Sequence, residues 1–147
     1  MSTTAIGYEQ DFYAWLMHNV ALIRAGKLAE IDAENVAEEL EGMAKRDRRQ
    51  LINRLAVLLM HLLKWQFQPG KRSRSWELTI EEQRKQVEQL LKDSPSLKYQ
   101  LDERVAEAYD LAIVKAEKET GFLRKTFPVM CPYTLDEALD NSFYPES

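Results

Sequence analysis

Apolar residues recur along the chain at spacings of three and four, the period that puts them on one face of an α-helix. From Tyr8 to Ala25 the stripe is Phe12, Leu16, Val20 and Ile23, widened by Tyr8 and Trp15, and Gly26 offers a left-handed stop. A second stripe opens behind Asp32, whose carboxylate suits the orphan amides of a helix start, and runs through Val36, Leu40 and Met43 to Leu51, Leu55, Leu58, Leu62 and Trp65. Unbroken to Phe67, it predicts a helix of about 35 residues, roughly 50 Å long at 1.5 Å per residue. The stripe lapses between Gly42 and Asp47, where a kink would fall.

From Leu55 to Phe67 the pattern changes. Leu55, Ala56, Val57, Leu58, Leu59, Met60, Leu62, Leu63, Trp65 and Phe67 occupy nearly every angle around the axis. A helix apolar all round is buried all round, so this rod is expected at the centre of a bundle. Gln68-Pro69-Gly70 ends it. A third helix follows, with Ser75 or Thr79 as its cap and Trp76, Ile80, Val87 and Leu90 or Leu91 as its stripe. Ser94-Pro95 then starts a fourth, through Leu97, Leu101, Val105, Ala108 and Ala112 to Gly121. Beyond it Thr134 and Glu137 have the spacing of a reciprocal capping box for a short helix through Leu139. Phe122, Phe127, Tyr133, Phe143 and Tyr144 give the tail enough apolar surface to lie against the bundle.

The expectation is one all-α domain over residues 1–147: a helical bundle of four main helices around a central buried helix, with an extended C-terminal tail carrying a short helix. Composition agrees, because five glycines and five prolines among 147 residues are few and fall at boundaries. The longest apolar run, the nine residues Leu55 to Leu63, is too short for a membrane span and contains His61. Met1 to Gly7 shows no positive cluster leading into an apolar stretch, and Cys131 is the single cysteine, with no partner for a disulfide. These features suggest a cytoplasmic protein with no membrane association.

Charge is segregated. Six acidic residues and no basic one lie between Glu30 and Glu41, whereas Lys45 to Arg74 holds nine basic residues against Asp47 alone, in a molecule of net charge −4. Arg46, Arg48, Arg49, Lys71, Arg72 and Arg74 are therefore candidate contacts for an anionic partner, with Trp65 and Trp76 near for stacking. The plainer account is helix physics: acids early and bases late complement the macrodipole, and Glu41 and Lys45 form an i, i+4 pair. The acidic tail could also neutralise the strip from within the molecule.

Signatures of chemistry are scarce. Gly70-Lys71-Arg72-Ser73 resembles the end of a phosphate loop, but Trp65 replaces the first glycine and Arg72 the residue that holds magnesium. Trp15 and Leu58 stand where a di-iron bundle needs glutamates before His18 and His61. With two histidines and one cysteine, no metal site, cofactor or catalytic set is expected. The polar candidates for the core are Glu38, Glu39, His61 and Lys64. At most one of the adjacent Glu38 and Glu39 can point inward, to meet an arginine, and His61 reads as a core histidine satisfied by a carbonyl or carboxylate. Cys131 reads as a packed thiol.

Several segments resemble a bacterial family known as domain of unknown function 29. They are Tyr8-Glu9-Gln10-Asp11-Phe12-Tyr13-Ala14-Trp15-Leu16, Glu34-Asn35-Val36-Ala37-Glu38-Glu39-Leu40 and Leu58-Leu59-Met60-His61-Leu62-Leu63-Lys64-Trp65-Gln66. Arg72-Ser73-Arg74-Ser75-Trp76, Ser94-Pro95-Ser96-Leu97, Thr126-Phe127-Pro128 and Cys131-Pro132-Tyr133-Thr134 continue it in one order. The resemblance implies a compact all-helical bacterial domain and carries over no activity, cofactor or catalytic residue. Three functional expectations stand in order. First comes a non-catalytic protein–protein interaction module, whose partner is another protein, a homo-oligomer being open. Nucleic-acid or polyanion binding through 45–74 is second, and an enzyme with a site near His61, helped by Glu38 or Glu39 and Lys64, is third.

Overall fold

A computed structural model describes residues 7–146, so the reading of the first six residues for a leader falls outside the described residues. Among the described residues there are six α-helices and no strand: α1 Phe12–Arg24, α2 Ala33–Phe67, α3 Arg74–Asp93, α4 Leu97–Glu103, α5 Val105–Thr120 and α6 Leu135–Leu139. The fold is all-α, as the periodicity predicts. None of these helices is long and apolar enough to cross a membrane. The chain forms two compact units, one up to Arg46 and the other from Asp47 onward, with α2 contributing to both.

In the first unit α1 begins at Phe12 rather than Tyr8, because Asp11 is its cap: Oδ1 accepts from the Ala14 amide at 3.0 Å. Gly7 to Gln10 form a turn before it, and Gly26, at φ +71°, follows its C-terminal end in the left-handed region. The buried residues are Trp15 and Asn19. Both ends of the Asn19 amide are held, its Nδ2 donating to the Trp15 carbonyl at 2.9 Å and its Oδ1 accepting from the Asp32 amide at 2.8 Å. The Asp32 carboxylate accepts from Asn35 Nδ2 and from the Trp15 indole, both at 2.9 Å, and these bonds hold its pKa below the usual carboxylate value.

The second unit is built around the rod. Along α2, Asn53 is exposed and Arg54, Val57 and His61 form a half-buried stripe, while Leu51, Ile52, Leu55, Ala56, Leu58, Leu59, Met60, Leu62, Leu63 and Lys64 are buried. They share a core with Ile80 and Val87 of α3, Leu101 of α4, and Ala108, Ala112 and Ala116 of α5. The three alanines, four residues apart, let α5 approach closely. Phe127, Tyr133 and Ala138 bring the tail into the same core. Each fully buried leucine stabilises the fold by about 1.5 to 3 kcal/mol over its exposed state.

Several local details differ from the sequence reading. Ser73, not Ser75 or Thr79, caps α3: its Oγ accepts from the Trp76 amide at 3.3 Å. Thr79 lies inside the helix and its hydroxyl donates back to the Ser75 carbonyl at 3.1 Å. The expected fourth helix is in two pieces, interrupted at Arg104, whose amide donates to the Leu101 carbonyl, one residue short of the α-helical step. At Thr134 and Glu137 the reciprocal capping box is present, both bonds at 3.0 Å.

Candidate functional site

A concavity of the second unit lies between α5 and the segment that follows it. Gly121, at φ +75°, turns the chain out of α5, and a single 3₁₀ turn at Arg124–Thr126 brings it back. Phe127 anchors the return, its ring 5.3 Å edge-on from Phe67. The Tyr109 hydroxyl donates to the Pro128 carbonyl at 2.6 Å. Burial raises this phenol to about 12, so it stays protonated and able to donate.

Held this way, the segment closes a groove of about 660 Å³ lined by Ile113, Val114, Phe127, Pro128 and Val129, with Asp110, Arg124 and Lys125 at its polar edge. Arg124 is occupied, its Nε donating to Glu117 Oε2 at 3.0 Å. Lys125 is exposed and, among the described residues, joins no ion pair. Beside the groove Val129 is 96% exposed and Met130 81%. An apolar groove of this size with few charges at its edge is the usual form of a binding site.

The predicted site residues are distributed differently. Within the second unit His61 Nδ1 donates to the Val57 carbonyl at 3.0 Å, one turn back on its own helix. Burial holds its pKa below the ordinary imidazole value. Lys64 is buried along its stem, with Nζ 3.5 Å from Glu119 Oε1 and 4.6 Å from the centre of the Trp76 ring. Arg72 lies over the Trp65 ring at 5.0 Å and its Nε donates to the Trp65 carbonyl at 2.7 Å. Arg74 pairs with Glu77 at 2.9 Å. Lys71 and Arg49 are exposed, and Arg48 is half-buried.

In the first unit Arg46 and Glu38 are exposed, while Glu39 accepts a hydrogen bond from the Tyr8 hydroxyl rather than meeting an arginine. That bond, before burial and the neighbouring carboxylates, raises the Tyr8 phenol to about 12. Cys131 is half-buried, its thiol donating to the Tyr133 carbonyl at 3.3 Å, and burial pushes its pKa up, away from reactivity.

No basic residue from Arg48 to Arg74 pairs with Asp136, Glu137, Asp140 or Glu146 among the described residues. The tail is fastened instead by Arg84 of α3, through backbone carbonyls. No group of three or more His, Cys, Asp or Glu side chains is placed to hold a metal among the described residues.

The groove residues escaped the sequence reading because Ile113 and Val114 lie within an ordinary helical pattern. Lys125, Val129 and Met130 become neighbours only through the turn at Gly121. The usable signal was Val129-Met130, two large apolar residues in a proline-bounded loop.

A family described as Domain of unknown function DUF29 matches residues 7–144 of the chain. The chain belongs to this family. The match covers both units and every helix described above. No curated protein and no solved structure matches the chain. DUF29 membership fixes the relationship and, by its own description, assigns no activity.

Proposed function

We propose that this DUF29 chain is a non-catalytic interaction module that takes a segment of another protein into the groove between α5 and the 123–130 loop. The observation that carries the reading is the exposure of Val129 and Met130 beside a preformed apolar groove. Large apolar side chains held in water at a groove mouth favour a partner that covers them. Lys125, free of an internal carboxylate among the described residues, suits a partner segment that sets an acidic side chain next to its apolar anchor. The other two readings have less behind them. His61 has its ring proton on a main-chain carbonyl, and Arg72 and Arg74 are already engaged, which leaves a polyanion site with Arg46, Arg48, Arg49 and Lys71.

A photo-crosslinking residue at position 129 tests it, with one at exposed Lys85 on α3 as control. The expected result is one defined partner captured from position 129 and not from 85, and lost when Val114→Asp puts a charge on the apolar wall of the groove. Equal capture at both positions, or capture unaffected by Val114→Asp, would overturn it.

A further inference from the structure

A second surface, in the first unit, goes beyond that groove. Leu40 and Met43 stand one turn apart on α2 and are 62% and 55% exposed, with the exposed Ala44 beside them. At about 100° per residue around the axis, Glu39 and Arg46 lie along one flank of this apolar strip and Glu41 and Lys45 along the other. On each flank the acid precedes the base. None of Glu41, Lys45 and Arg46 joins an ion pair among the described residues, and Arg46 Nη1 instead sits over Gly42, while Glu39 is half-buried and accepts from the Tyr8 hydroxyl of its own chain.

This order of charges selects a partner. If a second copy of the chain lies parallel, unlike flanks face each other, setting Glu39 near Glu41 and Arg46 near Lys45: like against like. If the second copy is reversed about a two-fold axis level with Gly42 and Met43, each flank faces its own counterpart. Glu41 then meets Lys45 twice, Arg46 comes level with Glu39, whose carboxylate is shared with Tyr8, and Leu40 covers Met43 of the other copy. A two-fold contact is self-complementary by construction, and this surface has that property in both its apolar and its charged parts. We propose that two copies of the chain pair antiparallel through the Leu40–Met43 face of α2.

Sedimentation equilibrium of the full chain and of exposed-residue variants provides the test. The wild type is expected to reach the mass of two chains, and Leu40→Gln/Met43→Gln to remain at one, with its helical circular dichroism unchanged. Glu41→Lys alone and Lys45→Glu alone should each weaken the dimer about tenfold, since each creates two repulsive contacts per dimer, and mixing the two variants should restore it. A parallel pair would respond oppositely, because Glu41→Lys would then face Glu39. A monomeric wild type, a dimer strengthened by either single reversal, or a dimer indifferent to Leu40→Gln/Met43→Gln would overturn the proposal. The groove variant Val114→Asp should leave the dimer intact, which separates failure of this inference from failure of the docking reading.

Discussion

Arg84 Nη2 donates to the Phe143 carbonyl at 2.6 Å, across fifty-nine residues of sequence. The same guanidinium donates from Nε to the Ala138 carbonyl at 2.8 Å and from Nη1 to the Asn141 carbonyl at 3.4 Å, and lies 5.3 Å from the Tyr144 ring. With Arg84 only 2% exposed, these carbonyls replace the water that the cation gave up. They lie at and beyond the last turn of α6, where backbone acceptors have no helical donor. One side chain thus closes the end of the short helix and fastens the tail.

Removing it should detach the tail before it damages the bundle. Arg84→Met is expected to lower stability by about 2 to 4 kcal/mol, the range for losing charge-assisted hydrogen bonds that leave buried acceptors unpaired. Arg84→Lys should recover little, because a single ammonium cannot span the fork. Urea denaturation gives the first quantity, and limited proteolysis should show earlier cleavage near Asn141. An Arg84→Met protein as stable as the wild type would show that the tail is held by its aromatics alone.

The rod makes a second demand. Leu58→Ala and Leu62→Ala each empty space at fully buried positions and should cost about 2 to 5 kcal/mol, transfer and cavity included. Chemical denaturation checks this. A loss below about 1 kcal/mol at both positions would mean that the surroundings collapse freely onto the rod.

His61 should couple stability to pH. Its pKa in the fold is lowered from 6.5, chiefly by burial, so the folded state resists protonation while the unfolded chain does not. Its contribution is therefore complete above about pH 6.5, and it is lost as pH falls from there through the lower folded value. Comparing urea midpoints of the wild type and His61→Gln from pH 7.5 to 5.5 isolates the term. The wild type should lose stability over that range and the variant should lose less. Asp32 and Asp140, whose values are lowered by hydrogen bonds, act only at more acid pH. Parallel pH profiles for both proteins would place the His61 ring in water.

The helices were legible because their signals are local. Leu55 to Phe67 reads as buried from composition around the axis alone, and most of it is, though Val57, His61, Trp65 and Phe67 are half-buried; Thr134 with Glu137 reads as a cap from spacing alone. Arg84 was not legible by chemistry: among Glu81, Glu82 and Lys85 it looks like one more surface charge. Its position was the better guide, since Ile80, Arg84 and Val87 share one stripe of α3 and all three are buried. The break at Arg104 left no glycine or proline to announce it. Of the candidate sites, the polar side chains were visible as residue types, but whether Arg72 meets solvent or Trp65 depends on the turn at Pro69–Lys71, a tertiary matter. The groove is tertiary altogether.

The central claim is that α2 from Leu51 to Lys64 is the core helix of the second unit, buried on every side but the Asn53–Val57–His61 stripe, and native-state amide hydrogen exchange tests it most directly. Amides from Leu55 to Leu63 should be the slowest in the chain, exchanging with the free energy of global unfolding measured in urea, while those from Val36 to Met43, on the exposed stretch, should open locally and faster. Exchange at Leu55 to Leu63 as fast as at Val36 to Met43 would contradict the account.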